Sequence, residues 1–293
     1  MVYLIDASVY IYRAFYSALP ERVDRDGYPV QAIWGFAKFL GDLLERVRPE
    51  WVAVAFDERP CVSFRTQLYA PYKAHREPTP AALVPQLERC VEVCRLLGVT
   101  ALSSREYEAD DVIGSVALHM RQRGVRAALV TRDKDLAQLM REGDVYWDYA
   151  SAPPLGYHDV ARRFGVLPER FADYLALTGD AVDNIPGVPG VGPKTAAALM
   201  REFDSLESLF AGLDQLATLK LRGTGALIER LRAHQQSAYL ARRLTRIACD
   251  MPLPIECEQL RRRSPDLAGL GRFFDHHEFG PLLRQQARRL ALS

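Results

Sequence analysis

Three short apolar runs, each followed closely by aspartate, constrain this chain most. The runs at 2–5, 51–56 and 127–131 lead into Asp6, Asp57, Asp133 and Asp135. Uninterrupted apolar runs of this length are typical of buried parallel strands. Helical patterns at 8–16, 33–46, 83–97 and 109–123 lie between them. The sequence therefore predicts an α/β fold with a mostly parallel central sheet flanked by helices. In such a fold the site lies outside the carboxyl ends of the strands.

Further acids fall where this edge is expected. Glu108, Asp110 and Asp111 begin a predicted helix, and Asp180 and Asp183 follow an apolar helix at 168–177. Acids in a first helical turn are favoured by about 0.3 to 1 kcal/mol each, so helix capping alone explains one or two of them. The full set is Asp6, Glu108, Asp110, Asp111, Asp133, Asp135, Asp180 and Asp183. Eight clustered carboxylates would repel one another strongly.

Divalent cations resolve that repulsion. A set of oxygen ligands without a histidine or cysteine cage suits Mg²⁺ or Mn²⁺ and disfavours zinc. Two such ions activate an attacking water and stabilise the leaving oxygen of a phosphodiester. We therefore predict a site for two or more ions on the eight acids, with Asp57 supporting these ligands rather than touching the ions. The predicted reaction is phosphodiester hydrolysis.

Composition sets the class of protein. The chain has 293 residues, is 48% hydrophobic and carries a net charge of +1, as expected of a soluble protein of one or two domains. It has neither a run of 18 apolar residues nor a basic leader at Met1, so we expect a cytoplasmic protein. Five cysteines do not form a disulfide framework. Acids are in excess up to Asp183 and bases after it, which suggests a metal site beside a phosphate-binding surface, although ordinary surface variation is an alternative.

The connection from Glu58 to Pro80 mixes basic and aromatic residues. It carries Arg59, Phe64, Arg65, Tyr69, Tyr72, Lys73, His75 and Arg76. Rings that stack on bases and cations that hold phosphates suit a single nucleic-acid strand. A solvated surface helix is the alternative. The position of the connection beside the acidic edge favours nucleic-acid binding.

A glycine-rich turn follows the last acids. Gly187, Gly190 and Gly192 precede a predicted helix that has Pro193 at its first position and then Lys194 and Thr195. Such a turn leaves backbone amides free to approach a phosphate, or a monovalent cation bridging to one. The Gly-Lys-Ser/Thr ending and the preceding strand of a Walker loop are missing. A plain helix-turn-helix is the alternative.

Taken together, these segments resemble the 5'-nuclease (flap endonuclease) family, which includes the 5'-3' exonuclease domain of bacterial DNA polymerase I. The resemblance is carried by Ile5-Asp6-Ala-Ser, Phe56-Asp57, Phe64-Arg65 through Arg76, Glu108-Ala-Asp-Asp-Val-Ile-Gly, Thr131-Arg-Asp-Lys-Asp-Leu and 179–195. It implies a structure-selective 5' nuclease with 5'-3' exonuclease and flap endonuclease activity on branched or nicked duplex DNA, and on RNA primers, in replication and repair. It also implies a PIN-like α/β nuclease domain over 1–180 and a helical DNA-binding region over 181–293.

The resemblance also implies roles for single residues. The segment at about 58–84 would form a helical arch, and a helix-hairpin-helix at about 185–202 would bind K⁺ and duplex DNA. Lys73 and Arg76 would contact the scissile phosphate beside Asp110, Tyr72 would stack on an unpaired nucleotide, and Arg13 would hold the substrate. Arg65, Gly187, Gly190, Gly192, Lys194 and Thr195 complete the expected DNA contacts.

Some features depart from the family pattern. Arg132 stands where relatives usually have glycine, and the chain ends at Ser293 without a following polymerase, so we expect a stand-alone monomer. A PIN-type endoribonuclease is an alternative, but it would lack both the arch and the hairpin. A junction-binding protein that no longer cuts is another, but it would have lost several acids. An aspartyl phosphatase is disfavoured because Ser8 occupies the place of its second acid.

Overall fold

The computed structural model describes residues 1–17, 22–58, 63–149, 151–218, 223–252 and 256–292. Its centre is a six-stranded sheet in the order β3-β2-β1-β4-β5-β6. The strands are β1 Val2–Asp6, β2 Trp51–Asp57, β3 Thr100–Ser104, β4 Ala127–Val130, β5 Val145–Trp147 and β6 Leu155–Gly156. The first five are parallel and β6 pairs antiparallel to β5, which confirms the predicted mostly parallel sheet. β3, β5 and β6 were not predicted because they are short or only partly buried.

Helices cover both faces of the sheet. They are α1 Ala7–Phe15, α2 Gln31–Val47, α3 Phe64–Leu68, α4 Val84–Leu96, α5 Ala109–Arg121, α6 Tyr157–Phe164, α7 Phe171–Thr178, α8 Pro193–Glu202, α9 Leu206–Ala211, α10 Thr224–Ala233, α11 Gln235–Thr245, α12 Leu267–His276 and α13 Pro281–Ala291. Short 3₁₀ helices span Lys134–Leu139, Pro168–Arg170, Leu213–Thr218 and Cys257–Leu260. Within the described residues no helix has the length and apolarity that a bilayer span requires.

The side chains of β1 alternate between the two faces of the sheet, and the core lies in two layers, one on each face. Leu4 belongs to a cluster that contains Val112 and Val116 of α5, while Ile5 belongs to a second cluster with Ile33 and Phe36 of α2. Successive side chains of a strand point to opposite faces, so a strand buried on both faces must be apolar throughout. The unbroken apolar run in the sequence therefore reflects helices packed on both sides.

The order of the strands determines where on the sheet a binding site can form. β1 pairs with β2 on one side and with β4 on the other, so the connections leave the sheet in opposite directions between β1 and β4. A crevice forms at the carboxyl ends of the strands at such a point. Asp6 is the last residue of β1, Asp57 is the last of β2, and Asp133 follows β4 by three residues. The three aspartates therefore lie along one edge.

The predicted helical arch at 58–84 takes a different form. The described part of this segment contains α3, five residues long, and then turns up to the start of α4. Pro71, Pro78 and Pro80 explain this, since proline removes a helix hydrogen bond and disfavours the helical conformation of the residue before it. Arg59 and the rest of 59–62 lie outside the described residues.

The C-terminal helices return to the first part of the chain. Phe273 of α12 and Leu283 of α13 share one buried cluster with Leu40 of α2. The helical region predicted over 181–293 contains α8 to α13, and α10 and α11 meet at His234. The domain boundary predicted near residue 180 stays a prediction. The last two helices, α12 and α13, pack on the sheet layer rather than on the hairpin region.

Candidate metal centre and nucleic-acid interface

Five acids that the sequence singled out line one open cavity of about 580 Å³ at the carboxyl edge of the sheet, which Glu77 also borders. They are Asp6, Asp57, Glu108, Asp110 and Asp133, and we call the cavity that they line the carboxylate pocket. Lys73, Arg76 and residues 77–80 line the same cavity. The sequence-predicted acids of β1, β2, α5 and the turn after β4 therefore share one space with two cations.

Two hydroxyl groups fix Asp6 at the floor of the pocket. The Ser8 hydroxyl donates to Asp6 Oδ1 at 2.8 Å and the Thr131 hydroxyl donates to Asp6 Oδ2 at 3.0 Å. Burial, and then repulsion by Asp57, raises the pKa of Asp6 to about 6. Sequence reasoning quoted Thr131 as part of a motif but gave it no role, although its position directly after β4 beside Asp133 was a usable signal.

Asp110 and Asp133 are two pocket acids whose pKa values are both raised. Burial and the charge of Asp133 raise the pKa of Asp110 well above its ordinary value. Burial also raises the pKa of Asp133, although the backbone N–H of Asp135 donates to its carboxylate at 2.9 Å and partly offsets the shift. Carboxylates that resist ionisation together are the electrostatic signature of a site that needs a cation.

Asp57 joins β2 to the start of α5. Its Oδ1 accepts from the Ala109 backbone N–H at 2.9 Å, and its Oδ2 accepts from the Ser8 hydroxyl at 3.3 Å. A carboxylate at a helix N-terminus satisfies an amide that has no partner within the helix. Asp57 thus positions the acids of α5, and its role in supporting the metal ligands stays a prediction.

Asp111 is not part of the pocket, contrary to the predicted metal role. It is fully buried and forms two hydrogen bonds of 2.7 Å with the guanidinium of Arg65, which is 3% exposed. It also accepts from the backbone N–H groups of Glu108 and Ala248. Arg65 donates further to the Leu244 carbonyl, so the predicted DNA contact by Arg65 is also wrong in this structure. The Asp111–Arg65 pair is a buried structural ion pair and is not available to bind a ligand.

Tyr72 and Lys73 lie opposite the acids and contact Glu108. Lys73 Nζ lies 2.8 Å from Glu108 Oε2, and its backbone has a φ of 54°. Burial alone would raise the pKa of Glu108, but Lys73 and Arg65 outweigh it and the pKa is lowered. Tyr72 is 3% exposed and donates to Glu108 at 2.9 Å. The stacking role predicted for Tyr72 therefore does not fit, because its ring is packed in the core.

Asp135, Asp180 and Asp183 form a separate set, the outer acid group. Lys134 Nζ lies 2.6 Å from Asp180 and 3.6 Å from Asp135. Asp183 pairs with Arg76 at 2.5 Å, and its charge contributes to the raised pKa of Asp133. Burial and the charge of Asp133 raise the pKa of Asp135 to about 7, and the Asp135 Oδ1 atom is buried without a hydrogen bond. This group adjoins the carboxylate pocket and is partly neutralised by protein cations.

Two arginines and a tyrosine lie beside the pocket. Arg13, Arg132 and Tyr16 line a neighbouring cavity of about 490 Å³ together with Asp133. Arg13 pairs with Asp148 at 2.8 Å, while Tyr16 is 68% exposed and also borders the carboxylate pocket. Sequence reasoning missed Tyr16. Its signal was the spacing of Tyr12 and Tyr16, four apart on the helix that follows Asp6.

The predicted glycine hairpin divides into a packed part and an open part. A Cβ on Gly187 would lie 2.4 Å from the Gly179 backbone nitrogen, so this glycine serves close backbone packing rather than a ligand. Gly192 has open space around it and forms the N-terminal end of α8 without a side-chain cap. Gly190, with a φ of 75°, lies against Arg230, a residue the sequence did not single out. Lys194 is exposed and Thr195 is half-buried.

Comparison with known proteins decides the family. Residues 1–165 match the N-terminal, resolvase-like domain of 5'-3' exonucleases, and residues 166–268 match the C-terminal SAM fold of 5'-3' exonucleases. The chain belongs to the 5'-3' exonuclease family. The resemblance drawn from the sequence motifs is therefore confirmed.

Two relatives show how far the likeness extends. A 5'-3' exonuclease of Aquifex aeolicus is 33% identical over 284 residues, which cover 97% of this chain and 94% of that protein. The thermostable DNA polymerase I of Thermus filiformis is 40% identical over 286 residues, which cover 97% of this chain and 33% of the polymerase. The chain thus spans about a third of the length of this polymerase relative.

Solved structures confirm the fold. The T5 5'-exonuclease with bound zinc aligns with a TM-score of 0.67 at 19% identity, covering 99% of this chain and 97% of that one. Flap endonuclease-1 from Methanococcus jannaschii aligns with a TM-score of 0.65 at 16% identity, covering 99% and 91%. At this identity the alignments establish a common architecture for this member of the 5'-3' exonuclease family.

Proposed function

We propose that this member of the 5'-3' exonuclease family hydrolyses phosphodiester bonds at 5' ends and flaps of branched or nicked duplex DNA, in the cytoplasm. The observation that carries the proposal is that the acids of the carboxylate pocket face Lys73 and Arg76 across one open cavity. Carboxylates suit cations and the two bases suit a phosphate, so a phosphodiester and metal ions fit between the walls. The described cysteines are unpaired, which agrees with a reducing compartment.

The residues fit two Mg²⁺ or Mn²⁺ ions. Asp6, Glu108, Asp110 and Asp133 would hold them, with Asp135, Asp180 and Asp183 of the outer acid group beside them. Within the described residues no three of these acids bring carboxylate oxygens within 4.8 Å of one another. Mg²⁺ keeps several of its waters in proteins, so some of these acids would hold metal-bound waters rather than the ion itself. When bound, the ions supply positive charge at the reacting phosphate and lower the pKa of water.

Lys73 and Arg76 are placed to receive the phosphate. They now pair with Glu108 and Asp183, at 2.8 Å and 2.5 Å. Once metal ions bind the carboxylates, the ions compensate the negative charge of Glu108 and Asp183. Lys73 and Arg76 can then pair with an incoming phosphate instead. The positive φ of Lys73, sparsely populated by residues other than glycine, is the kind of backbone strain found at functional sites.

We expect Lys73→Ala to lower kcat on a flapped substrate by about 10²- to 10³-fold, with KM changed much less. The reason is the loss of one positive group that stabilises charge in the transition state, worth about 2.7 to 4 kcal/mol. Steady-state kinetics measure this effect. Lys38→Ala, which removes a half-exposed lysine of α2 paired with Asp42, is the matched control and should leave both constants unchanged. Unchanged kcat in Lys73→Ala would rule out the phosphate role.

The DNA duplex would contact the hairpin. Gly190, Gly192 and Lys194 present an exposed turn where backbone amides and a K⁺ ion can meet phosphate oxygens without reading sequence. Beside the pocket, the exposed ring of Tyr16 replaces Tyr72 as the candidate for stacking on an unpaired base. Arg13 and Arg132 border the same cavity and would add phosphate contacts.

One assay tests the proposed function. The protein is incubated with 5'-flap, nicked, blunt and RNA-primed duplexes in Mg²⁺, in Mn²⁺ and in chelator, and the products are sized. We expect cleavage of flapped and nicked duplexes from the 5' side, and none in chelator. Tight binding without products in either metal would indicate a junction-binding protein. Cleavage of single-stranded RNA alone would indicate a PIN-type ribonuclease.

Mg²⁺ should stabilise the protein more at pH 8 than at pH 5.5. The folded pKa values of Asp6 and Asp135 are raised to about 6 and 7, above an unfolded value of about 3.9. Between these values the folded state binds more protons, so without metal these acids cost stability as pH rises through their folded pKa values. Mg²⁺ removes this cost only where the acids are ionised. Thermal unfolding in Mg²⁺ and in chelator at both pH values measures the difference, and equal Mg²⁺ shifts would contradict it.

A further inference from the structure

A second group of candidate ligands lies outside the carboxylate pocket. In the described part of the chain, Asp24, His276 and His277 are the one trio of His, Cys, Asp or Glu whose ligand atoms all lie within 4.8 Å of one another. None of the three lines the carboxylate pocket. They bring the loop before α2 against the C-terminal end of α12 and border a cavity of about 380 Å³.

His277 is the residue that requires explanation. It is 4% exposed, and its Nδ1 atom has no hydrogen-bond partner. The Asp24 Oδ2 atom is 3.8 Å away, which is too far for a hydrogen bond. The ring packs against Phe273 and Phe279, with centroids at 4.4 and 5.6 Å. A buried polar atom without a partner is unfavourable, so a missing ligand is the physical explanation to test.

The other two groups point to the same missing ligand. Asp24 is 7% exposed and its Oδ1 accepts from the backbone N–H groups of Asp26 and Tyr28, so Oδ2 remains on the side of His277. The exposed His276 ring lies 4.8 Å from the His277 ring at 70°. Arg89 borders the same cavity, but its guanidinium is held by Glu92 at 2.9 Å. A carboxylate oxygen and one nitrogen from each of two imidazoles thus lie within 4.8 Å of one another.

We propose that Asp24, His276 and His277 bind a transition-metal ion of the Zn²⁺ type. Two nitrogen ligands and one carboxylate form a set that zinc uses, with water completing the coordination on the exposed side of His276. The carboxylate pocket has oxygen ligands only, so the two sites select different metals. The ion would fasten the loop to α12, where Arg25 already donates to the backbone carbonyls of His276 and Asp275.

The test uses the full-length, tag-free protein, stripped with chelator and then given zinc. X-ray absorption at the zinc edge detects imidazole ligands, which the carboxylate pocket cannot supply. We expect one equivalent of zinc with two imidazoles in the wild type. His75→Gln and His158→Gln are matched controls at exposed histidines and should match the wild type. His277→Gln should lose this site.

His276→Gln keeps the test decisive if the buried His277 variant fails to fold. His276 is exposed, so its replacement should preserve the fold and weaken zinc binding by at least about tenfold, since even groups that only orient ligands cost 10- to 100-fold. Zinc should raise the unfolding temperature of the wild type more than that of His276→Gln. Zinc bound without imidazole, no zinc bound at micromolar concentration, or wild-type affinity in His276→Gln would each overturn the proposal.

Discussion

Asp110→Asn should remove nuclease activity and at the same time stabilise the metal-free protein. Cleavage should fall at least about 10³-fold, because the amide cannot supply the charge that holds a divalent cation. In chelator at pH 8 the unfolding temperature should rise by at least about 2 °C, the shift that 1 kcal/mol produces in a chain of this size. The gain is expected because burial and the charge of Asp133 raise the pKa of Asp110, so its ionised form destabilises the fold.

The two effects separate a metal ligand from a structural acid. Loss of activity alone follows from many kinds of damage, but loss of activity with a gain in stability requires a charge kept for function. Glu106→Gln is the matched control, an exposed acid four residues earlier in the chain and outside the pocket. It should change neither property. Binding of duplex DNA by Asp110→Asn should persist, since Gly190, Gly192 and Lys194 of the hairpin do not line the carboxylate pocket. Full activity in Asp110→Asn would remove the metal assignment.

The position of the site could be predicted because strand geometry alone determines it. Parallel strands end at a common edge, so the acids that follow β1, β2 and β4 had to lie together once the apolar runs were recognised as strands. Asp6 and Asp133 illustrate this, since each follows a buried strand within three residues. No side-chain detail was needed for this step.

The roles of Asp111, Arg65 and Tyr72 could not be predicted in this way. Consecutive helical residues point about 100° apart, so Asp110 and Asp111 cannot face the same direction, but the sequence does not show which of them faces the pocket. What decides it is the partner of Asp111, Arg65, 46 positions earlier, together with the Ala248 backbone 137 positions later. Contacts over such separations leave no local pattern. A basic and aromatic segment suits nucleic acid and a buried ion pair equally well.

The form of the 58–84 segment shows a different limit of prediction from the sequence. The family resemblance implied a helical arch, whereas the described residues contain only α3 and turns. Here the local signals were present in Pro71, Pro78 and Pro80. Proline chemistry should therefore have outweighed the resemblance, because it acts within a few residues and does not depend on tertiary context.

Asp111→Asn should destabilise the protein by about 3 to 5 kcal/mol, the cost of leaving one member of a buried ion pair uncompensated. Arg65 is 3% exposed, and burial opposes its charge, but the hydrogen bonds and charge of Asp111 more than offset this and raise its pKa. Without that carboxylate the guanidinium keeps Glu108, at 3.6 Å, two backbone carbonyls and the Phe64 ring. Denaturant unfolding in chelator measures the loss. Asp159→Asn, which breaks an exposed pair with Arg162, is the matched control and should cost about 1 kcal/mol or less.

The neighbouring variants Asp110→Asn and Asp111→Asn should thus change stability in opposite directions. A loss of 3 to 5 kcal/mol is a large share of the roughly 5 to 15 kcal/mol that holds a typical protein folded. Because Asp111 does not line the pocket, Asp111→Asn that remains folded at low temperature should still bind Mn²⁺ with the wild-type stoichiometry, whereas Asp110→Asn should not. If Asp111→Asn instead kept its stability and lost metal, Asp111 would be a ligand after all, and the buried pair with Arg65 would not describe the protein in solution.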